Sequence, residues 1–141
     1  LELLDRAGVD VRGKRTVVVG AGRLVGAPSA RMLRERGADV HVVTREQGSL
    51  EDLKTADIVV AGTGVSGLVK PEMLREGVVL IDAGTSNVPK ENGGRIAGDA
   101  DPACAEKCLV FSPVPGGVGP VAVAMIFRNL LDLMQKNALR T

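Results

Sequence analysis

The chain has 141 residues, which is enough for one domain and too few for two large ones. Hydrophobic residues make up 45% of it and charged residues 25%, so the chain can bury a proper core and is not expected to be disordered. With 18 Lys+Arg against 17 Asp+Glu, no basic block and no aromatic residues besides two Phe, the sequence argues against a nucleic-acid-binding surface of basic and stacking side chains.

The sequence shows neither an obvious membrane span nor an export signal. The longest uninterrupted apolar run, Val121 to Phe127, is too short to cross a bilayer, and charged residues follow Leu1 closely. Because the first residue is Leu rather than Met, we expect the chain to begin inside a longer gene product. Cys104 and Cys108 are four residues apart without a His nearby. This spacing disfavours a disulfide and a metal site, and predicts reduced cysteines in a cytoplasmic protein.

Apolar β-branched runs and amphipathic stretches alternate along the chain. The run Thr16-Val17-Val18-Val19 has no polar alternation, which is typical of a strand covered on both faces in a parallel sheet. The pattern predicts an α/β, Rossmann-like fold with a doubly wound, mostly parallel sheet and helices on both faces. In chain order we predict a helix over 1–7, a strand over 16–19, a helix over 25–36, strands over 40–44 and 58–61 separated by a short helix over 51–56, a short helix over 71–75, a strand over 78–81, a turn over 92–94, a brief strand over 95–97, a short helix over 101–107, a strand over 109–111 and a final helix over about 118–135.

The final predicted helix is unusually apolar. Between Val121 and Met134 almost every residue is apolar, and Arg128, Asp132 and Gln135 form only a narrow polar stripe. Such a helix is expected to pack on the sheet and also on something outside this chain. A helix that is simply well buried would give the same pattern.

A glycine-rich segment joins the first strand to the first long helix. Its spacing is GxGxxxG, because Val25 stands where a GxGxxG motif has its third glycine. Glycines allow a phosphate to approach the backbone, and the helix N-terminus adds free N–H groups and partial positive charge. The alternative is a glycine-rich turn without a ligand. The segment predicts a dinucleotide pyrophosphate site formed by Gly20, Ala21, Gly22, Arg23, Val25 and Gly26.

The end of the second strand bears on the choice between NAD and NADP. An NAD site usually has Asp or Glu there, to bind the ribose hydroxyls. Here the strand ends in Thr44-Arg45, and an Arg pairs with the 2′-phosphate of NADP where a carboxylate would repel it. Arg23 could assist, whereas Glu46 would favour NAD if it pointed inward. We therefore predict NADP, with NAD possible; the alternative is that Arg45 is an ordinary solvated charge.

Two further turns follow predicted strands at the edge where open α/β sheets bind ligands. Thr63-Gly64 follows the third strand, and Asp82-Ala83-Gly84-Thr85 follows the fourth. Their glycines leave room for the nicotinamide-ribose half of a dinucleotide, although ordinary turns have the same composition. Thr63, Gly64 and Thr85 complete the predicted cofactor site.

The most distinctive segment is Pro113-Val114-Pro115-Gly116-Gly117-Val118-Gly119-Pro120. It predicts a rigid, kinked loop before the final helix, which can present backbone groups to a flat ligand. A plain connection rarely needs so many Pro and Gly residues. The predicted substrate-binding residues are Pro113, Pro115, Gly116, Gly117, Val118, Gly119 and Pro120.

Groups that usually perform acid–base catalysis are missing. The chain has no Tyr, and its single His, His41, is predicted within a strand rather than as a base. Asp99 and Asp101 are interpreted as turn and N-cap residues rather than as a metal pair. Hydride transfer needs none of these groups, because the cofactor does the chemistry. No catalytic residue is therefore predicted in this chain.

Over essentially its whole length the sequence resembles the bifunctional methylenetetrahydrofolate dehydrogenase/methenyltetrahydrofolate cyclohydrolase (FolD) family. Gly20 to Pro28 is similar to the family's GRSxxVGxP stretch, and Ser112 to Pro120 is similar to its highly specific TPVPGGVGP loop. Further matches are Ala61-Gly62-Thr63-Gly64 with Gly67-Leu68-Val69 to its strand and GxPG(L/F) turn, Ile81-Asp82-Ala83-Gly84 to IDVG, and Gly98-Asp99-Ala100-Asp101 to GDVD.

The resemblance implies roles for individual residues, together with some departures. The family's Arg-Ser is Ala21-Gly22 here, which removes two side-chain phosphate ligands for which Arg23 could compensate. Val121 and Ala122 replace the family's Met and Thr, so cofactor preference and folate affinity are the properties open to change. The implied positions are Gly20, Ala21 and Gly22 at the cofactor phosphates, Arg45 near the 2′-phosphate, Thr85 beside the nicotinamide, and 115–120 in the folate-site loop.

The resemblance also implies a domain organisation. Residues 1–12 would be the linker helix from a missing N-terminal catalytic domain, which holds the family's Tyr-x-x-x-Lys motif, and residues 13–141 the NAD(P)-binding domain. The expected function is the cofactor-binding domain of an NADP-dependent 5,10-methylenetetrahydrofolate dehydrogenase/5,10-methenyltetrahydrofolate cyclohydrolase. Such an enzyme serves one-carbon folate metabolism and purine biosynthesis. Its folate substrate would be shared between the domains of a cytoplasmic homodimer with no nucleic-acid or membrane partner. The alternatives are a stand-alone nucleotide-binding regulatory module without catalysis and the cofactor domain of another dehydrogenase.

Overall fold

The computed structural model describes residues 1–87, 94 and 96–138. In this part of the chain, α-helices, strands and short 3-10 turns follow one another. The helices are α1 (Glu2–Arg6), α2 (Gly26–Glu35) and α3 (Val118–Ala138). The strands are β1 (Arg15–Val19), β2 (Asp39–Val43), β3 (Ile58–Ala61), β4 (Val78–Asp82), β5 (Ser86–Asn87), β6 (Ile96–Ala97) and β7 (Cys108–Ser112). The 3-10 turns are Leu50–Thr55, Pro71–Met73 and Pro102–Glu106.

Five strands form one parallel sheet in the order β2-β1-β3-β4-β7. The chain moves from β1 outward to β2 and then returns to place β3 on the other side of β1, so the winding reverses between β1 and β3. Such a reversal point is where open α/β sheets bind ligands, beyond the carboxyl ends of the strands. The predicted Rossmann-like, doubly wound class is therefore confirmed.

The sheet is covered differently on its two faces. On one face, Leu4 of α1 and Leu33 of α2 pack against Val18 and its neighbours in the central strands. On the other face the cover consists of 3-10 turns, including Leu53 and Cys104, so the short helices predicted there are tighter than α-helices. Burial raises the pKa of both free thiols, Cys104 and Cys108, to about 11.

Near the fourth strand, β5 and β6 form a small antiparallel ribbon outside the main sheet. Strand β6 corresponds to the brief strand predicted over 95–97, whereas β5 was not predicted. The predicted turn over 92–94 lies outside the described residues, except for Gly94.

Helix α3 lies apart from the rest of the domain over most of its length. Between Val118 and Asn137, where burial is described, only Val118, Val121 and Met125 are partly buried, whereas Phe127 and Leu130 are 63% and 53% exposed. The prediction that this helix packs along the sheet is therefore wrong beyond its first two turns. The segment Val118–Asn137 has 20 residues and a mean hydropathy of 1.2, so by length and composition alone it would suffice to cross a membrane.

Candidate functional site

The turn after β1 lies against the end of β3, where the winding of the sheet reverses. The Gly20 amide donates to the Val43 carbonyl at 2.8 Å, and the Gly62 amide donates to the Val19 carbonyl at 3.0 Å. Gly20 has a φ of +99°, and a Cβ on it would lie 2.8 Å from the Gly62 oxygen. Both the left-handed conformation and the close approach require glycine at this position.

The unusual GxGxxxG spacing has a steric explanation. A Cβ on Gly26 would lie 1.9 Å from the Gly20 oxygen, so the first residue of α2 must also be glycine. Val25 fills the space beside Gly62, because a Cβ on Gly62 would lie 2.7 Å from Val25 Cγ1. Gly26 therefore permits the close packing of helix on strand that the third glycine of a dinucleotide motif provides, one position later.

The backbone between this turn and α2 is open to an anion. Within the described chain, the amides of residues 21–25 donate no hydrogen bond to another protein group. They precede the N-terminus of a ten-residue helix, whose partial positive charge favours a phosphate. The turn thus offers the free donors and the absent side chains that a diphosphate needs.

A pocket of about 430 Å³ lies over this turn. It brings together six of the predicted cofactor residues with apolar neighbours from β1, β2 and the loop after β3. Its lining consists of Val19, Gly20, Ala21, Gly22, Val43, Thr44, Arg45, Leu50, Gly62, Thr63, Val65 and Leu68.

Arg45 is the charged residue of this pocket. It is exposed and forms no ion pair with the acidic residues that the structure describes, so its guanidinium is available to an anion. The preceding Thr44 hydroxyl is used locally, since it accepts from the amides of Glu46 at 3.2 Å and Gln47 at 3.1 Å. Glu46 does not line the pocket.

The other predicted cofactor residues lie outside the lining of this pocket. Arg23 is exposed on the turn, and Val25 and Gly26 have the packing roles described above. The Thr85 carbonyl lies 3.9 Å from where a Cβ on Gly64 would be, so these two residues adjoin each other beyond the pocket.

Two buried aspartates hold this edge together, and sequence reasoning did not identify them as site residues. Asp101 caps a 3-10 turn as predicted, accepting from the Ala103 amide at 3.0 Å. Asp99 lies in a bend, in keeping with its interpretation as a turn residue, but it is also fully buried, and its carboxylate accepts from the Thr63 amide and hydroxyl. Asp82 is 1% exposed, and desolvation raises the pKa of its carboxyl. The available signal was the neighbouring glycines, Gly84 and Gly98.

The predicted substrate loop does not reach the pocket over the phosphate turn. It folds back on itself, with the Gly117 amide donating to the Pro113 carbonyl at 2.8 Å. A Cβ on Gly117 would lie 2.5 Å from Ser112 Oγ, so this glycine is also required by packing. Val118 lines a separate, mainly apolar cavity of about 480 Å³, together with Val25 and residues of α1, α2 and α3.

The sequence matches the family described as tetrahydrofolate dehydrogenase/cyclohydrolase, NAD(P)-binding domain, over residues 1–138. It is 43% identical to a bifunctional protein FolD of Halothermothrix orenii over 131 residues, which are 92% of this chain and 45% of that protein. It is 40% identical to a FolD protein of Myxococcus xanthus, covering 94% of this chain and 45% of that one. The chain thus spans about half the length of these relatives.

Solved structures agree in fold. A bifunctional FolD enzyme from Campylobacter jejuni superimposes with a TM-score of 0.91 at 33% identity, over 96% of this chain and 48% of that one. The FolD enzyme of Trypanosoma brucei, solved with NADP cofactor and inhibitor, superimposes with a TM-score of 0.90 at 37% identity, over 97% of this chain and 48% of that one. The glycine turn, the parallel sheet and the matched sequence lead to one conclusion: this chain belongs to the family of NAD(P)-binding domains of tetrahydrofolate dehydrogenase/cyclohydrolases.

Proposed function

We propose that this chain is the NADP-binding domain of a 5,10-methylenetetrahydrofolate dehydrogenase/5,10-methenyltetrahydrofolate cyclohydrolase. The observation that carries the proposal is one pocket lined both by the glycine turn at Gly20 and by Arg45, which forms no ion pair with the acidic residues that the structure describes. This arrangement matches a dinucleotide with one diphosphate and one additional phosphate. The NADP found in the related Trypanosoma brucei enzyme supports the same choice.

In this proposal the chain binds and orients the cofactor. The amides of residues 21–25 receive the diphosphate, Arg45 pairs with the 2′-phosphate, and the walls at Thr63-Gly64 and Thr85 border the nicotinamide side. NADP, when bound, supplies the acceptor for a hydride from the methylene carbon of the folate. The protein contributes alignment and a shaped surface, and none of its described side chains needs to transfer a proton in the hydride step.

The folate would lie between the loop over 113–120 and a further domain that holds the cyclohydrolase lysine. Helix α3 supports this organisation, because its exposed apolar side chains need a cover and its polar stripe argues for protein rather than lipid. Near the N-terminus, Arg128 on the polar stripe of α3 pairs with Glu2 on α1 at 3.7 Å, which places that stripe beside the proposed linker over 1–12. The complete enzyme would be a cytoplasmic homodimer.

Calorimetric titration of the chain with NADP and NAD tests the cofactor assignment. We expect NADP to bind at least about tenfold more tightly, because a charge-assisted phosphate contact contributes about 1.5–3 kcal/mol. Arg45→Gln should weaken NADP by about 10–100-fold and change NAD by less than about twofold. The control is Arg31→Gln, which removes an exposed ion pair with Glu35 on α2. Equal affinities for the two cofactors would contradict the assignment.

A second measurement separates the enzyme domain from a stand-alone regulatory module. The chain by itself should show no methenyltetrahydrofolate hydrolysis above buffer, because the proposed lysine belongs to another domain. If measured hydrolysis exceeded that of buffer, this division of labour would be wrong. NADP binding without any gain of activity from an added FolD N-terminal domain would favour the regulatory module.

A further inference from the structure

The loops after β3, β4 and β6 meet at the ligand edge of the sheet. Two buried carboxylates connect these loops by accepting hydrogen bonds from their amides. Asp82 ends β4, Asp99 follows β6, and their exposures are 1% and 0%. Burying two carboxylates side by side is costly unless hydrogen bonds compensate. A core does not need such groups for packing, so their arrangement calls for a different explanation.

Asp82 fixes the backbone around Asp99. Its Oδ1 accepts from the amides of Gly84 at 2.9 Å and Asp99 at 3.1 Å, and its Oδ2 accepts from the Ala100 amide at 2.8 Å. A Cβ on Gly98 would lie 2.0 Å from Asp82 Oδ2, so a glycine is needed to let this carboxylate in. Asp82 therefore holds the main chain that carries Asp99 at two points, the amides of Asp99 and Ala100, and also binds the loop after β4 through the Gly84 amide.

Asp99 in turn fixes the loop after β3. Its Oδ2 accepts from the Thr63 amide at 2.5 Å, the Thr63 hydroxyl at 2.8 Å and the Gly64 amide at 3.2 Å. Its Oδ1 is buried without a partner among the described residues, close to where a Cβ on Gly84 would be. A buried oxygen without a partner is a cost to stability, so the burial of Asp99 calls for an explanation other than stability.

The Thr63 side chain transmits this constraint to the phosphate turn. Its hydroxyl donates to Asp99 and also accepts from the Val65 amide at 3.1 Å, so it has little left to offer a ligand. With the hydroxyl held inward, Thr63 Cγ2 is directed at the turn and lies 3.1 Å from where a Cβ on Gly20 would be. Thr63 therefore forms a wall of the pocket through its methyl group, and Asp99 sets where that wall stands.

We infer that Asp99 is a positioning residue for the dinucleotide: it holds the Thr63 wall at a fixed distance from the phosphate turn, and Asp82 holds Asp99. The inference rests on the proposed function, since it assumes that this pocket takes NADP. It assigns Thr63 the role of a shaped surface, whose hydroxyl is used within the protein rather than by the cofactor.

The test compares NADP affinity in variants of the full 141-residue chain. Asp99→Ala should raise the NADP Kd by about tenfold or more, and Asp99→Asn, which keeps one acceptor oxygen, by less. Thr63→Val keeps the methyl group and replaces the hydroxyl by a second methyl, and should raise the NADP Kd by about three- to tenfold. The double variant Asp99→Ala/Thr63→Val should bind NADP no more weakly than Asp99→Ala alone. The reason is that both changes break the same contact, the one between Asp99 and Thr63. The matched control Asp101→Asn removes a carboxylate bonded to Lys70 and Ala103, and should stay within about twofold.

Hydrogen exchange of the free chain provides a second, cofactor-independent readout. The amides of Thr63 and Gly64 should exchange about tenfold faster or more in Asp99→Asn than in the wild type, and should be unchanged in Asp101→Asn. Unchanged NADP affinity and unchanged exchange in the Asp99 variants, or additive effects of Asp99→Ala and Thr63→Val, would overturn the inference. If the wild-type chain itself fails to bind NADP, the proposed function fails, and the exchange rates alone decide whether Asp99 holds the wall.

Discussion

The ligand edge of the sheet is closely packed, whereas helix α3 is largely exposed. At the edge, backbones approach so closely that Gly20 and Gly26 have no room for a Cβ, and the buried Asp82 is bonded to three amides. On α3, Ile126 and Phe127 are 66% and 63% exposed. The chain thus builds the cofactor cradle from its own residues, whereas α3 presents an apolar surface that the chain does not cover.

The largest expected effect comes from filling the space between the glycine turn and α2. Gly26→Ala would place a methyl group 1.9 Å from the Gly20 carbonyl oxygen, so the helix must shift and the chain should lose about 3 kcal/mol of unfolding free energy. The change should also displace the turn and abolish measurable NADP binding. Urea denaturation and calorimetry measure the two effects.

The matched control lies on α3. A Cβ on Gly119 meets nothing within 4 Å, so Gly119→Ala should leave the unfolding free energy unchanged or raise it by up to about 1 kcal/mol. Equal stability of the two alanine variants would show that the edge is as loosely packed as the helix, and the contrast between the two regions would disappear.

Much of this fold could be predicted from the sequence because its signals are local. Uninterrupted apolar runs such as 58–61 identify strands that are buried on both faces, and the glycine segment identifies the turn after β1. The 3-10 turns were predicted as short helices, because one turn of either kind has the same apolar spacing. The two-residue strand β5 is too short to leave any periodic pattern.

The candidate site was less predictable, because its decisive contacts join distant parts of the chain. Asp99 and Thr63 are 36 residues apart, and no spacing rule connects them. Asp99 and Asp101 look alike in sequence, yet one is fully buried and the other caps a turn at the surface. Burial depends on the whole fold, which is why the turn and N-cap roles were predictable from sequence and the burial of Asp99 was not.

A smaller effect concerns pH and distinguishes two carboxylates of the edge. Burial raises the pKa of Asp82, so the stability it contributes is full at acid pH and is lost as the pH rises through that raised pKa. Hydrogen bonds from Ala103 and Lys70 lower the pKa of Asp101, so its contribution is present above about pH 4 and is lost as the pH falls through the lowered pKa.

Urea denaturation between about pH 3 and 7 measures this difference. The difference in unfolding free energy between the wild type and Asp82→Asn should be largest at acid pH and should decrease toward neutral pH. The corresponding difference for Asp101→Asn should be largest near neutral pH and should decrease at acid pH. Parallel profiles for the two variants would show that Asp82 is hydrated like a surface carboxylate, which would also weaken the argument that Asp99 stands on a rigid support.

The smallest expected effect on stability comes from the exposed face of α3. Replacing Ile126 and Leu130 together by Gln should change the unfolding free energy by less than about 0.5 kcal/mol, because both side chains are more than half exposed, at 66% and 53%. Leu33→Gln is the matched control, since Leu33 is fully buried and its replacement should cost about 3 kcal/mol or more. Sedimentation velocity should show that the double variant associates with itself less than the wild type does.

These two measurements on α3 have separate meanings. A loss of more than about 1 kcal/mol in the double variant would mean that this chain already covers the face, so no further domain would be needed to explain it. Unchanged self-association with unchanged stability would mean that the face is tolerated in water, and the proposed docking of a catalytic domain would lose its physical support. A docking surface for another domain should show both properties: replacing its apolar residues leaves the unfolding free energy unchanged, and the same replacement reduces self-association.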